Sequence, residues 1–387
     1  MRCIKVKGLW ATLLAALAMA LALALAGCSV SAVQGSQREV QDMAGRTVTI
    51  PETVERVFCT NPIGTADVFA LSPESLVGWN FLPAGDNRKY IPDEMLELPA
   101  LGVWMGAGSV PNAEEIAAQN PDVLLCYWTA DEVGASMADD IQAETRIPTL
   151  VIDYDIRSTP EMFRYVGELL GCEDRAEELA VFSEGKLDDI REIAASVTNN
   201  ERKSIFLAQG NDGLTTDPVG SMHVQDALDL IAVTNVADMP GTEGKGMGMP
   251  SVNLEQILTW DPDAVLVAEF NMSNAESSDI YSGIVADSHW QTIPCVEEGE
   301  VYRIPQGPFS WFGRPPSVAR LLGAEWLQKV LYPQHAENLN IRDEVIEFYD
   351  VMYGFDDFDD EFLENLLDSA GIDAATGQEK EQSCCSM

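Results

Sequence analysis

Apolar residues recur at helical spacing on both sides of one break in the stretch Ser158–Val197. Ser158-Thr-Pro160-Glu161 places cap residues before a Pro at a first helical position, with an acid in the first turn. Met162, Phe163, Val166, Leu169 and Leu170 then share one helix face, and Gly171 reads as a stop. Asp174 is a plausible new cap, after which Leu179, Phe182, Leu187, Ile190, Ile193 and Val197 keep a 3.6-residue period. A helix over Arg175–Val197 would be about 35 Å long, enough to bridge two lobes.

The flanking sequence shows why a bridge is expected. Asn112-Ala-Glu114-Glu-Ile116 leads through Pro121-Asp122 to the apolar run Val123–Trp128. Asn253-Leu-Glu255-Gln-Ile257 leads through Pro262-Asp263 to Ala264–Val267, with Asn, Glu, Ile, Pro, Asp and Leu at the same offsets. Each copy reads as Asn cap, short amphipathic helix, Pro-Asp turn and buried strand, so two related α/β units are predicted. Earlier, Val54–Phe58 reads as a strand leading through Asn61-Pro62 into a helix over Ala66–Leu71, and Leu76–Trp79 as a further short strand. With Pro148–Asp153 this alternation predicts a mostly parallel sheet with helical crossovers. The predicted fold class is α/β: two Rossmann-like lobes with mostly parallel sheets, joined by one long helix, with a ligand cleft between them.

Boundaries follow from the same patterns. Arg2, Lys5 and Lys7 precede the apolar run Leu9–Ala26, a charged region followed by a hydrophobic one. Residues 1–27 are expected to be a signal peptide, 28–47 a tether, 48–157 the first lobe, 158–198 the linking helix and 199–340 the second lobe. Residues 341–367 are expected to be closing helices and 368–387 a disordered acidic tail.

Composition narrows the function. A hydrophobic content of 46% fills real cores, and the formal charge of −40 argues against nucleic acid or anionic lipid as a partner. The eight Cys include no CxxC and no Cys/His cluster with metal spacing. Cys59, Cys126, Cys172 and Cys295 read as small buried hydrophobes. Cys384-Cys385 fall in the polar tail. Three His in the chain are too few for a bare zinc or manganese site of the His-rich kind. There is no GxSxG nucleophile elbow, and Asp356–Glu361 lacks the Gly and the ligand spacing of an EF-hand loop.

Leu25-Ala26-Gly27-Cys28 resembles the lipobox of bacterial lipoproteins. That resemblance implies cleavage before Cys28 and a lipid anchor on its sulfur, which would hold a soluble protein on the outer face of the cytoplasmic membrane. Further motifs are Leu98-Pro-Ala-Leu-Gly102, Glu168-Leu-Leu-Gly171, His289-Trp290 with Gly299-Glu-Val301-Tyr302, and Phe309-Ser-Trp311-Phe312-Gly-Arg314-Pro-Pro316. With the two repeats and in this order, from Val48 to Leu367, they resemble the substrate-binding proteins of ABC importers of the iron-chelate and cobalamin class. The resemblance implies no enzyme and no cofactor of its own, and a monomer working with an ABC permease dimer and its ATPase. It implies a metal chelate or an oxyanion as cargo: ferric siderophore, haem, cobalamin or molybdate. It gives Glu114 and Glu255 the role of docking acids, one per lobe; an acid there also favours a helix N-terminus in any protein. A surface sensor without transport is the nearest rival.

Ligands in open α/β sheets sit beyond the carboxyl ends of the strands. The loops there offer Asn61, Trp79, Tyr127, Trp128, Gln209, His223, Phe270, Trp311 and Arg314 as candidate contacts. The aromatics suit a bulky ligand and suit core packing equally. Trp311 stands in a loop rich in Pro and Gly, which favours a pocket role. Arg314 is placed to take a carboxylate or oxyanion. Met247 and Met249 lie in a Gly-rich segment that reads either as a soft contact surface or as a plain loop.

Overall fold

A computed structural model describes residues 36–83, 88, 90–104, 111–240, 249–269, 279–355, 360–373, 375, 377 and 378. Cys28, Phe270, Met247, Cys384-Cys385 and the signal segment lie outside the described residues. The described chain begins with an antiparallel hairpin of β1 (Gln37–Gln41) and β2 (Thr47–Pro51). Val48 and Ile50 are buried while their neighbours face solvent, the two-residue period of a half-covered strand. The expected tether therefore stops short of residue 37. β1 has no fully buried residue, so only its pairing with β2 reveals it.

The first lobe follows as β3 (Val57–Cys59), α1 (Pro62–Leu71), α2 (Ala113–Ala118), β4 (Val123–Trp128), α3 (Glu132–Thr145) and β5 (Thr149–Asp153). Its three strands are parallel in the order β3-β4-β5. All of β4 is buried, as a central strand covered on both faces should be. Leu76–Trp79 makes only isolated bridges, from Leu76 to Val57 and from Trp79 to Ala100, rather than the full strand expected.

The link is a helix pair, α4 (Thr159–Leu170) and α5 (Glu173–Ser196). Gly171 closes α4 at φ +71°, a left-handed backbone that suits glycine. Asp174 is not the cap of α5; that position is Cys172, without a side-chain cap. The break and the long second helix thus fall where the apolar spacing predicts.

The second lobe comprises β6 (Ser204–Ala208), α6 (Gln225–Leu230), β7 (Thr234–Asn235), α7 (Leu254–Trp260), β8 (Ala264–Val267), α8 (Ile280–Ala286) and β9 (Val301–Arg303). Its sheet is parallel in the order β7-β6-β8-β9. Three closing helices, α9 (Arg320–Leu331), α10 (Ile341–Tyr353) and α11 (Asp360–Ser369), complete the fold. One continuous apolar cluster runs from α1 through α4, α5, α9, α10 and α11. The chain after Asp368 is not a free tail at first. Ala370 and Ile372 are buried, the Trp326 indole donates to the Ala370 carbonyl, and Lys329 Nζ donates to Gln378.

The two repeats are structural equivalents. Asn112 caps α2 by accepting from the Glu114 N–H, and Asn253 caps α7 by accepting from the Gln256 N–H. Asn120 and Asp261, each just before the Pro, share a left-handed φ of 51° and 48°. Asp122 then accepts from the Glu55 and Arg56 N–H groups, and Asp263 from Ser204, each tying its turn to the neighbouring strand.

Candidate functional site

Of the candidate residues, Asn61, Gln209, His223 and Arg314 gather as polar groups near the carboxyl ends of the strands, whereas the described aromatics pack into the interior. Asn61 follows β3, caps α1 through the Ile63 N–H at 3.1 Å, and donates from Nδ2 to the Tyr127 carbonyl at 2.8 Å. It therefore ties the end of β3 to the end of β4. Trp79 is buried, with its indole donating to the Met95 carbonyl at 2.7 Å. Tyr127 is buried with its hydroxyl 3.5 Å from the Met162 sulfur, and Trp128 packs in an apolar cluster with Leu124, Cys126 and Val151. These three aromatics are held by contacts within the chain. As they stand, they fill the first lobe rather than line a surface for a bulky ligand.

Trp311 is also placed differently from the expectation. It is 0% exposed, its indole donates to Tyr349 Oη at 3.0 Å, and its ring stands edge-on to Trp326 at 6.4 Å. The Pro- and Gly-rich loop that carries it folds inward, so the side chain is a core anchor.

In the second lobe, polar groups gather around Asp217. Arg314 donates to it from Nε at 3.0 Å and Nη2 at 2.6 Å, a bidentate pair. Gln209, immediately after β6, donates from Nε2 at 2.7 Å, and Ser221 Oγ donates at 2.6 Å. Burial alone would raise the Asp217 pKa, but the Arg314 guanidinium outweighs it and holds the carboxyl below its usual range. Arg314 is therefore already paired and does not stand open to an anion, contrary to the expectation. His223 lies beside this pair, 8% exposed, with Nδ1 buried and without a hydrogen-bond partner. Burial, reinforced by the Arg314 charge, lowers its pKa to about 4, so it is neutral at pH 7. Gln209 Oε1 and Thr215 Oγ1 are likewise buried without partners. Among the described residues, this is where unsatisfied polar atoms concentrate at the strand ends.

A second knot joins the lobes. Asp226 on α6 accepts from the Ile156 N–H, just beyond β5, at 2.9 Å and from Arg320 Nη1 at 2.7 Å. Arg320 also donates to the Tyr154 carbonyl at 2.7 Å. Asp67 on α1 accepts from the Val318 N–H at 2.8 Å; burial raises its pKa to about 7, against the opposing pull of that bond and of Arg320. Met222 packs against both the main core and the first-lobe cluster that holds Trp128. Asp67, Asp217, Asp226 and Arg320 were not singled out from the sequence. For Asp67 a signal existed: it is the lone charge inside the apolar helical run Pro62–Leu71, which calls for a buried partner, whereas Arg320 opens a helix that also carries Glu325 and Lys329 and gives no such signal. Asp217 and Asp226 carry none.

Glu114 and Glu255 both sit at the second helical position of their repeats and are exposed, one on each lobe. Beside Glu255 lies a recess of about 530 Å³ that Asp238, Met239, Gln256 and Trp260 help to line. Met249 is exposed at 37%. Among the described residues, no group of three or more His, Cys, Asp or Glu is arranged to hold a metal ion, and no helix is long and apolar enough to cross a membrane.

The family model described as periplasmic binding protein matches residues 105–308, more than half of the chain. The uncharacterized ABC transporter substrate-binding lipoprotein YvrC of Bacillus subtilis is 24% identical over 299 residues, 74% of this chain and 88% of that protein. The molybdate-binding protein MolA of Haemophilus influenzae is 24% identical over 361 residues, 85% of this chain and 95% of that protein. Among solved structures, an ABC transporter solute-binding protein from Sulfurospirillum deleyianum aligns with a TM-score of 0.76 at 29% identity, covering 86% of this chain and 99% of that one.

Proposed function

We propose that this chain, which belongs to the periplasmic binding protein family, is the extracytoplasmic solute-binding component of an ABC importer. It captures its solute between the two lobes and performs no chemistry on it. The observation that carries this reading is the convergence of the two parallel sheets: residues just beyond β5 meet Asp226 and Arg320 of the second half, while α4 and α5 span the lobes behind them. Substrate capture at strand carboxyl ends, with a modest hinge motion about a stiff link, follows from that arrangement. The cargo we favour is a metal chelate such as a ferric siderophore, haem or a cobalamin-like compound. The likeness to a protein named for molybdate binding makes an oxyanion the second reading.

The experiment is a thermal-shift panel on the soluble chain from Ser29, with ferric siderophores, haem, cobalamin, molybdate and tungstate. A true ligand at 100 times its Kd should stabilise the fold by about 2.7 kcal/mol. Silence over the whole panel, with uptake of each compound unchanged in a strain lacking the protein, would sink the reading.

Anchoring and docking complete the proposal. Cys28 carries the lipid that holds the mature protein on the membrane; the intact mass of the membrane-extracted protein, beginning at an acylated Cys28, is the check. Glu114 and Glu255 meet basic residues of the permease dimer. Changing both to Ala is expected to lower transport several-fold, with solute affinity of the isolated protein unchanged. Unaltered transport would return both acids to the role of helix-start residues.

A further inference from the structure

We propose that Asp217 makes the second lobe's half of the cleft reject bare oxyanions, so that the transported solute presents hydrogen-bond donors, rather than free negative charge, to Gln209 and His223. The inference rests on the binding reading above and adds the class of solute. It starts from a count of charge at the strand ends. Arg314 shares Asp217 with Gln209, and Asp217 occupies its donor fork at 2.6 and 3.0 Å. Arg320 is held by Asp226 at 2.7 Å. Arg303, at the end of β9, pairs with Asp279 at 2.7 Å and lies 3.6 Å from Glu269. In this half of the cleft each of these described arginines is thus matched by at least one acid.

The groups left without partners beside Asp217 are neutral; Arg303 Nε also lacks a hydrogen bond, but Asp279 and Glu269 match its charge. Gln209 uses its amide nitrogen on Asp217, which leaves Oε1 as a pure acceptor with no donor. His223 Nδ1 has no partner either; the ring is uncharged at neutral pH, and with the proton on Nε2, Nδ1 is a second acceptor. A buried acceptor without a donor is costly until a ligand supplies one. A tetrahedral dianion has no proton to give Gln209. It would also have to displace a buried carboxylate from Arg314 and leave that carboxylate uncompensated, which is strongly unfavourable. A solute carrying O–H or N–H groups, or positive charge, meets neither obstacle.

Asp217→Asn keeps the shape and removes the charge, so it frees the net charge of Arg314. Molybdate, tungstate and sulfate are titrated calorimetrically into the wild-type chain and the variant. Expected is binding to the wild type no tighter than about millimolar and a gain of about tenfold or more in affinity in Asp217→Asn, the scale of one charge-assisted hydrogen bond. Gln209→Glu added to Asp217→Asn returns a carboxylate to the recess and should abolish the gain. Micromolar oxyanion binding by the wild type overturns the inference, and so does a folded Asp217→Asn that binds none. If Asp217→Asn does not fold, Asp217→Ser provides the uncharged site and is read the same way. None of these outcomes depends on transport, so the importer reading stands or falls separately on the panel and the uptake assay.

Discussion

Trp311→Ala is expected to lower the unfolding free energy by about 3–5 kcal/mol, the range for emptying a large aromatic from a packed core. Two local features push toward the upper end. The indole N–H is a donor to Tyr349 Oη, and Tyr349, itself fully buried, also donates to the Gly307 carbonyl. Removing the indole therefore costs that hydroxyl one of its hydrogen bonds. The backbone behind Trp311 cannot relax into the space from the α9 side, because Gly323 packs so close that a Cβ there would stand 1.9 Å from the Trp311 carbonyl oxygen. Urea unfolding of Trp311→Ala and Trp311→Phe checks the size of the loss. Solute affinity, measured below the unfolding transition, should change little. Loss of affinity in a variant of wild-type stability would restore Trp311 to the pocket.

The second large effect concerns Glu325 on α9, which is 1% exposed where α9 faces the linking helix α5. Both of its carboxylate oxygens are buried without a hydrogen-bond partner. Lys186 on α5 is 3.6 Å away, an ion-pair distance, yet its ammonium bonds to Glu344 and Glu347 on α10 instead. Desolvation therefore prevails over the attraction of Lys186, and the Glu325 pKa rises to about 8. The folded-state value lies above the ordinary carboxyl value of 4.5, so the folded chain binds the extra proton. Stability from this group is fully present below about pH 4.5 and is lost as pH rises toward 8. Glu325→Gln removes the titration. The variant should match the wild type near pH 4.5 and exceed it at pH 8 by a few kcal/mol, roughly 1.4 kcal/mol per unit of pKa shift. Thermal unfolding of both proteins from pH 4.5 to 8.5 decides it. Parallel curves would mean that Lys186 keeps Glu325 charged. Asp67, raised to about 7, acts in the same direction over a lower window, so the wild-type slope with pH should remain partly in the variant.

Much of the architecture was legible because it rests on local rules. A periodic apolar face needs only helical geometry, so the spacing from Met162 to Val197 marked both helices of the link and the glycine between them. Asn caps and Pro turns act within a few residues, so the duplicated motif located α2, β4, α7 and β8 and showed that the chain holds two related lobes. Apolar runs bounded by turns gave β4 and β5 nearly to the residue. Local rules failed where a segment's partner is distant. The hairpin strand β1 has little hydrophobic pattern and exists through β2, and Ala370 and Ile372 are ordered by Trp326 and its neighbours, far away in sequence.

The candidate site was legible in its parts and not in its pairings. Gln209, His223 and Arg314 could be singled out by residue type and by position after predicted strands. That Arg314 meets Asp217, nearly a hundred residues earlier, is a tertiary fact. Whether an arginine is open to an anion depends on which acid the fold brings to it, and composition cannot supply that in a chain with 63 acids. The same holds for Trp311: a large aromatic in a loop reads as functional until packing shows which way the loop turns. The sequence by itself determined the periodicities, caps and repeats that make two α/β lobes on a helical link, because those are set by neighbours along the chain. Only the tertiary structure decided which charges cancel and which side chains are buried, because burial and electrostatic pairing are set by neighbours in space.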